Sequence, residues 1–181
     1  MNRNRFGYGV HSFLNEYIRK ERCHTLMEIG VDNGDNAKNM IEVSKELFPA
    51  TEVEYYGFDT FDYDLQFRKV KEKLSETSCK FKLFKGNTVN ILPKHIGELP
   101  LIDLIFIDGG KSYNTVKSDW EHSSLLMHDK TGVFFHNYSF SGVNQVVNNI
   151  SRDKYKIKII KPSNDYETAL IQKNLIKESL A

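Results

Sequence analysis

Seven apolar segments of strand length alternate with amphipathic helical segments, which predicts a doubly wound α/β fold. Its sheet is expected to be mostly parallel and seven-stranded, with right-handed crossovers and helices on both faces. Two more observations support this. Polar and glycine residues gather just after the apolar segments, and the last two segments are joined by a turn-forming stretch, Pro162 to Asp165, that suits an antiparallel pair.

Val10, Phe13, Leu14, Tyr17 and Ile18 share one helical face and predict an opening helix. Residues 25–29 read as a buried strand ending at Gly30. Ala37, Met40, Ile41, Leu47 and Phe48 resume helical spacing until Pro49 stops it. Residues 53–58 form the next strand, closed by Asp59, and 65–74 a charged amphipathic helix. The mixed lysine and phenylalanine content of 80–85 predicts a strand near the sheet edge. A short helix over 89–95 leads to 101–107, the most apolar strand. Tyr113, Val116, Trp120 and Met127 predict a helix, 132–135 a strand, and Val143, Val146, Val147 and Ile150 another helix. Tyr155, Ile157 and Ile159 alternate in a penultimate strand that pairs with 168–172.

The 181 residues fit one domain, 1–181, with no internal repeat or linker-like stretch. Lys plus Arg number 25 against 24 Asp plus Glu, so no global field favours nucleic acid, and no such partner is expected. Apolar runs such as 104–107 fall far below the ~20 residues of a bilayer span. No membrane partner is expected either. The segment Met1 to Arg5 is polar with no apolar stretch behind it, and Cys23 and Cys79 make no disulfide framework, so a cytoplasmic location is expected.

Ligands of open parallel sheets bind outside the carboxyl ends of the strands, so the residues at those ends carry the functional reading. In order they are Glu28-Ile-Gly30-Val-Asp-Asn-Gly34, Asp59, Gly86-Asn87-Thr88, Asp108-Gly-Gly-Lys111 and His136-Asn137. Gly30 and Gly34 let the first turn adopt positive φ and pass close under a ligand. Their G-x-x-x-G spacing differs from the dinucleotide pattern, and Glu28 and Asp35 add negative charge beside it, which suits a ligand with a cationic end. Asp59 is placed to accept both hydroxyl protons of a ribose, or else to cap a turn.

Residues 27–36, Met27-Glu-Ile-Gly-Val-Asp-Asn-Gly-Asp-Asn36, resemble motif I of class I S-adenosylmethionine-dependent methyltransferases, whose fold is Rossmann-like. Tyr56-Gly-Phe-Asp59 resembles their acidic second-strand motif and Lys85-Gly-Asn-Thr88 their third-strand turn. The stretch from Ile102 through Tyr138 is similar to metal-dependent O-methyltransferases of the catechol and caffeoyl-CoA type and to related small sugar and macrolide enzymes. The motifs cover roughly residues 25 to 140.

The resemblance implies S-adenosylmethionine as cofactor and a small-molecule hydroxyl as acceptor. Glu28 and Gly30 then approach its methionine end, Gly34 lines the same cofactor turn, Asn36 opens the following helix, Asp59 holds the ribose, and Asn87 and Thr88 edge the adenine. It implies Asp108 as both a cofactor-side residue and a metal ligand, with His136 and Asn137 completing the metal set and Lys111 as general base. The chain departs from the family in carrying His136 where a carboxylate is usual, and an imidazole shifts preference from magnesium toward manganese or another transition metal. His136 is the second catalytic candidate, or it bonds a backbone carbonyl. Lys111 is otherwise a solvated turn lysine. A metal-independent methyltransferase and a cofactor-binding protein without catalysis stay open as alternatives. Phe61, Tyr63 and Phe67, with Tyr138 and Phe140, either wall an acceptor pocket or pack in the core. His11, His24, His95, His122 and His128 show no ligand spacing and are expected to be surface or capping groups. Little chain precedes the first helix to act as a lid, so the pocket is expected to be open or completed by a second copy in a homodimer.

Overall fold

The computed structural model describes residues 10–175, so the reading of Met1 to Arg5 lies outside the described residues. Among the described residues six α-helices and seven strands follow in order: α1 (Ser12–Glu21), β1 (Thr25–Ile29), α2 (Asp35–Lys45), β2 (Glu54–Asp59), α3 (Asp64–Ser75), β3 (Lys80–Lys85), α4 (Thr88–His95), β4 (Ile102–Ile107), α5 (Tyr113–Ser123), β5 (Met127–Phe135), α6 (Ser141–Asn149), β6 (Tyr155–Ile160) and β7 (Thr168–Lys173). The sheet order is β3-β2-β1-β4-β5-β7-β6. β1 to β5 run parallel, and β7 inserts antiparallel between β5 and β6.

The strands alternate their side chains between two cores. Leu26, Leu104, Phe106 and Phe134 join the cluster under α1, α2 and α3. Met27, Ile29, Ile105, Val133 and Phe135 join the one under α4, α5 and α6. The central strands β1 and β4 are apolar apart from Thr25, Glu28 and Asp103, because both faces are covered. Both edges carry exposed lysines at alternate positions, Lys80 and Lys82 on β3 and Lys156 and Lys158 on β6, which discourages pairing with another sheet. No helix among the described residues is long and apolar enough to cross a membrane.

Two expectations change. The helix predicted through Met127 ends at Ser123, and Met127 opens β5. Its spacing fits a helix, but its backbone pairs with Ile102, and the register shifts before Leu104 meets Gly132. His128, expected at the surface or as a cap, ties the amino ends of the strands together. Its Nε2 lies 2.9 Å from Asp103 Oδ1, while its Nδ1 accepts from Lys130 N at 3.1 Å. An Nδ1 that accepts must lack a proton, so the ring donates through Nε2. The other oxygen of Asp103 accepts from the backbone of His24 and Thr25.

Candidate functional site at the strand ends

The chain steps outward from β1 to β3 on one side and restarts with β4 and β5 on the other, so the crevice opens above β1 and β4. Every loop that enters it is pinned where it leaves the sheet. Gly30 N donates to Phe58 O at 2.8 Å, Asp108 N to Ile29 O at 2.7 Å, Gly86 N to Asp59 O at 2.8 Å and His136 N to Ile107 O at 3.1 Å. Glu28, Gly30, Asp59, Asp108 and His136 thus emerge from the carboxyl ends of adjacent strands.

Gly30 and Gly34 have φ of +92° and +77°. A Cβ on Gly30 would meet Asp108 O at 2.6 Å, so the glycine is required by the chain's own β4 loop, and the close approach expected toward a ligand is made first by backbone. Glu28 is buried, with Oε1 accepting from Asn36 Nδ2 at 2.8 Å and Oε2 from Tyr55 OH at 2.5 Å. Burial pushes its carboxyl up to about 8; these two hydrogen bonds oppose the shift, and the charges of Asp108 and Asp59 add to it. Asn36 Oδ1 is buried without a donor. An unfilled acceptor beside a buried acid is a place for a cationic group, which fits the methionine end of the cofactor that the resemblance implies.

Asp59 spends its oxygens on the turns around it: Oδ2 accepts from Asp32 N, and Oδ1 from Phe61 N, both at 2.9 Å. A carboxylate has about four acceptor sites, so capacity for ribose hydroxyls remains. Asn87 caps α4 by accepting from Val89 N at 3.0 Å, and Thr88 opens that helix. Asp119 on α5, absent from the sequence expectations, lies fully buried beside Gly109. Burial raises its carboxyl to about 6, with the Thr88 hydroxyl opposing the shift. No short motif marks it, because its contacts come from α5 packing beneath two loops.

Lys111 and Asp108 form an ion pair across the Gly109-Gly110 turn. His136 Nδ1 lies 2.9 Å from the same Asp108 oxygen, off the line of a good hydrogen bond. Burial works against charge on both Asp108 and His136. The imidazole and the Lys111 ammonium nevertheless bring Asp108 below the ordinary carboxylate range. Asp108 and Asp165 likewise bring His136 above the ordinary imidazole range.

His136 continues past Asp108 to a second carboxylate. Its Nε2 is 2.9 Å from Asp165 Oδ1, and Asp165 Oδ2 pairs with His11 Nδ1. The β6–β7 turn delivers Asp165 because β7 starts beside the carboxyl end of β5, where Tyr138 N donates to Glu167 O. His11 is therefore corrected: it precedes α1 as a buried group, ring against Phe106 and His136. Its separation of 154 residues from Asp165 leaves no local signal. The side chain of His136 is fully enclosed between Asp108 and Asp165.

At Asp108, His136 and Asn137, where the resemblance implies a divalent cation, the polar atoms face one another. Asp108 Oδ1 is already shared by Lys111 and His136, and both ring nitrogens of His136 face carboxylates. Asn137 sits at the strand end with φ +57°.

The aromatic groups divide. Phe61 is buried core with Phe67 against it, whereas Tyr63 is exposed beside a groove of about 630 Å³ between α2 and α3 that contains none of the predicted site residues. Phe140 is 43% exposed and meets Tyr166 edge-on, close to the strand-end site through the Tyr166–His136 ring contact.

The profile of a family described as a methyltransferase domain matches residues 27–138. A comparison with curated protein sequences gives no match. Among solved structures, the chain is similar to the O-methyltransferase TomG from Streptomyces achromogenes in complex with S-adenosylmethionine, at 14% identity and a TM-score of 0.74, covering 90% of this chain and 78% of that one. It is similar to an O-methyltransferase from Bacillus cereus in complex with S-adenosylhomocysteine, at 12% identity and a TM-score of 0.75, covering 90% and 79%. CalS11, a TDP-rhamnose 3'-O-methyltransferase of calicheamicin biosynthesis, matches at 17% identity and a TM-score of 0.76, covering 91% and 78%.

Proposed function

Because the chain belongs to the methyltransferase-domain family, we propose that it transfers the methyl group of S-adenosylmethionine to a hydroxyl of a small molecule. The observation that carries this reading is the meeting of Glu28, Asp59 and the Asp108–Lys111 pair at the switch point of the sheet. Glu28 and Asn36 face the cationic end of the cofactor, Asp59 the ribose diol, and Asn87 and Thr88 the adenine edge.

Methyl transfer is an in-line displacement. The acceptor oxygen forms a bond to the methyl carbon, the carbon–sulfur bond breaks with its electron pair left on sulfur, and the hydroxyl proton leaves to a base. The principal needs are alignment and that base. Lys111 is the group placed to take that proton, and Asp108 beside it stabilises the ammonium that results. His136 steadies Asp108 from the enclosed side.

The test is methyl transfer from labelled S-adenosylmethionine to a panel of phenols and sugars, beside calorimetry of cofactor binding. Lys111→Ala is expected to leave cofactor affinity nearly unchanged and lower kcat by about 10²–10⁴-fold. Lys111→Arg should not rescue, since a guanidinium stays protonated. Tight NAD binding with no response to S-adenosylmethionine refutes the cofactor, and a normal kcat in Lys111→Ala refutes the base.

A further inference from the structure

We propose that His11, His136 and Asp165 bind one divalent transition-metal ion, of the zinc or cobalt kind, on the enclosed side of the strand-end site. The three residues come from remote segments, before α1, after β5 and within the β6–β7 turn, yet each offers a ligand atom within 4.8 Å of the others. Three donors about 2.1 Å from one ion lie at most about 4.2 Å apart, so an adjustment of about half an ångström completes the set. Both imidazoles are buried, and Asp165 directs one oxygen to each ring. Two imidazole nitrogens and one carboxylate suit zinc, cobalt or iron far better than magnesium, which wants oxygen.

His136 joins this cluster to the strand-end site. Each of its ring nitrogens lies 2.9 Å from a carboxylate oxygen, Nδ1 from Asp108 and Nε2 from Asp165. A metal at Nε2 would leave Nδ1 beside Asp108, a carboxylate in the place of the outer-shell partner that metal-bound histidines commonly have. The proposal does not rest on the methyltransferase reading.

The experiment uses the whole chain, stripped with chelator and dialysed against Co²⁺ or Zn²⁺, with metal content measured by mass spectrometry, the cobalt absorption bands recorded and folding checked by circular dichroism. The expected result is one equivalent per chain and a raised melting temperature in the wild type. His11→Gln and Asp165→Asn should each weaken binding by about 10²-fold or more, while Asp108→Asn keeps the equivalent. No stoichiometric binding by the wild type, which needs no variant to fold, overturns the proposal. So does a loss in Asp108→Asn with retention in His11→Gln, because that pattern places the ion on the other side of His136.

Discussion

Glu28 differs from Asp108 and Asp165 in having no cation beside it. Asp108 has Lys111 and His136, and Asp165 has two imidazoles, which together hold its carboxyl well below the usual range against the effect of burial. Glu28 has only an amide and a phenol, so burial prevails and its carboxyl rises from 4.5 to about 8. In the folded chain the proton is then retained between those pH values, and in the unfolded chain it is lost. Stability is therefore greatest at the acid end of that window and falls as pH rises toward 8, by on the order of a few kcal/mol. Glu28→Gln removes the titration while its amide can still accept from Asn36 and donate to Tyr55. Urea melts from pH 5 to 8.5 should show the variant gaining on the wild type with rising pH. Parallel profiles would mean that Glu28 does not hold a proton in the folded state.

At the scale of elements, α6 sets the position of Lys111. A Cβ on Gly142, in its first turn, would meet Lys111 O at 2.2 Å and Tyr113 N at 2.7 Å, both backbone atoms that cannot swing aside. Gly142→Ala should push the helix off this turn, lowering stability by about 1–3 kcal/mol. The same shift should lower kcat by up to about 10²-fold through misplacement of the base. Cofactor affinity, read by calorimetry, should hardly change, because the β1 and β2 loops lie on the other side of the crevice. An equal loss of cofactor binding would show that the turn serves the cofactor instead. The elements themselves were legible in the sequence where a single period governed them: 25–29 and 80–85 match β1 and β3 residue for residue. Met127 failed because apolar spacing alone cannot tell the end of a helix from the start of a strand. The strand-end residues were legible because each follows an apolar run. His11 and Asp165 were not, since histidine before a helix and aspartate in a turn are ordinary local choices whose partnership arises only when β7 folds back beside β5.

At the scale of the molecule, the crevice is the one line along which the two halves of the sheet, β1 to β3 and β4 to β7, present loops to the same ligand. A cofactor lying across it with Asp59 on one side and Asp108 on the other binds only the assembled chain, so its binding energy adds to the stability of the whole. At one hundred times the dissociation constant this is about 2.7 kcal/mol. For a domain of this size each kcal/mol moves the melting temperature by about 2–4 °C, so S-adenosylhomocysteine should raise it by roughly 5–10 °C. NAD and ATP should give no comparable rise. Asp59→Asn keeps an acceptor for only one of the two turn amides and loses the carboxylate that two ribose hydroxyls need, so its ligand-induced shift should shrink markedly even after its own lower starting temperature is taken into account. Calorimetric scans of both proteins, with and without the nucleoside, decide this: a shift undiminished in Asp59→Asn would remove Asp59 from the cofactor site and leave it as the residue that ties the β1 and β2 turns together.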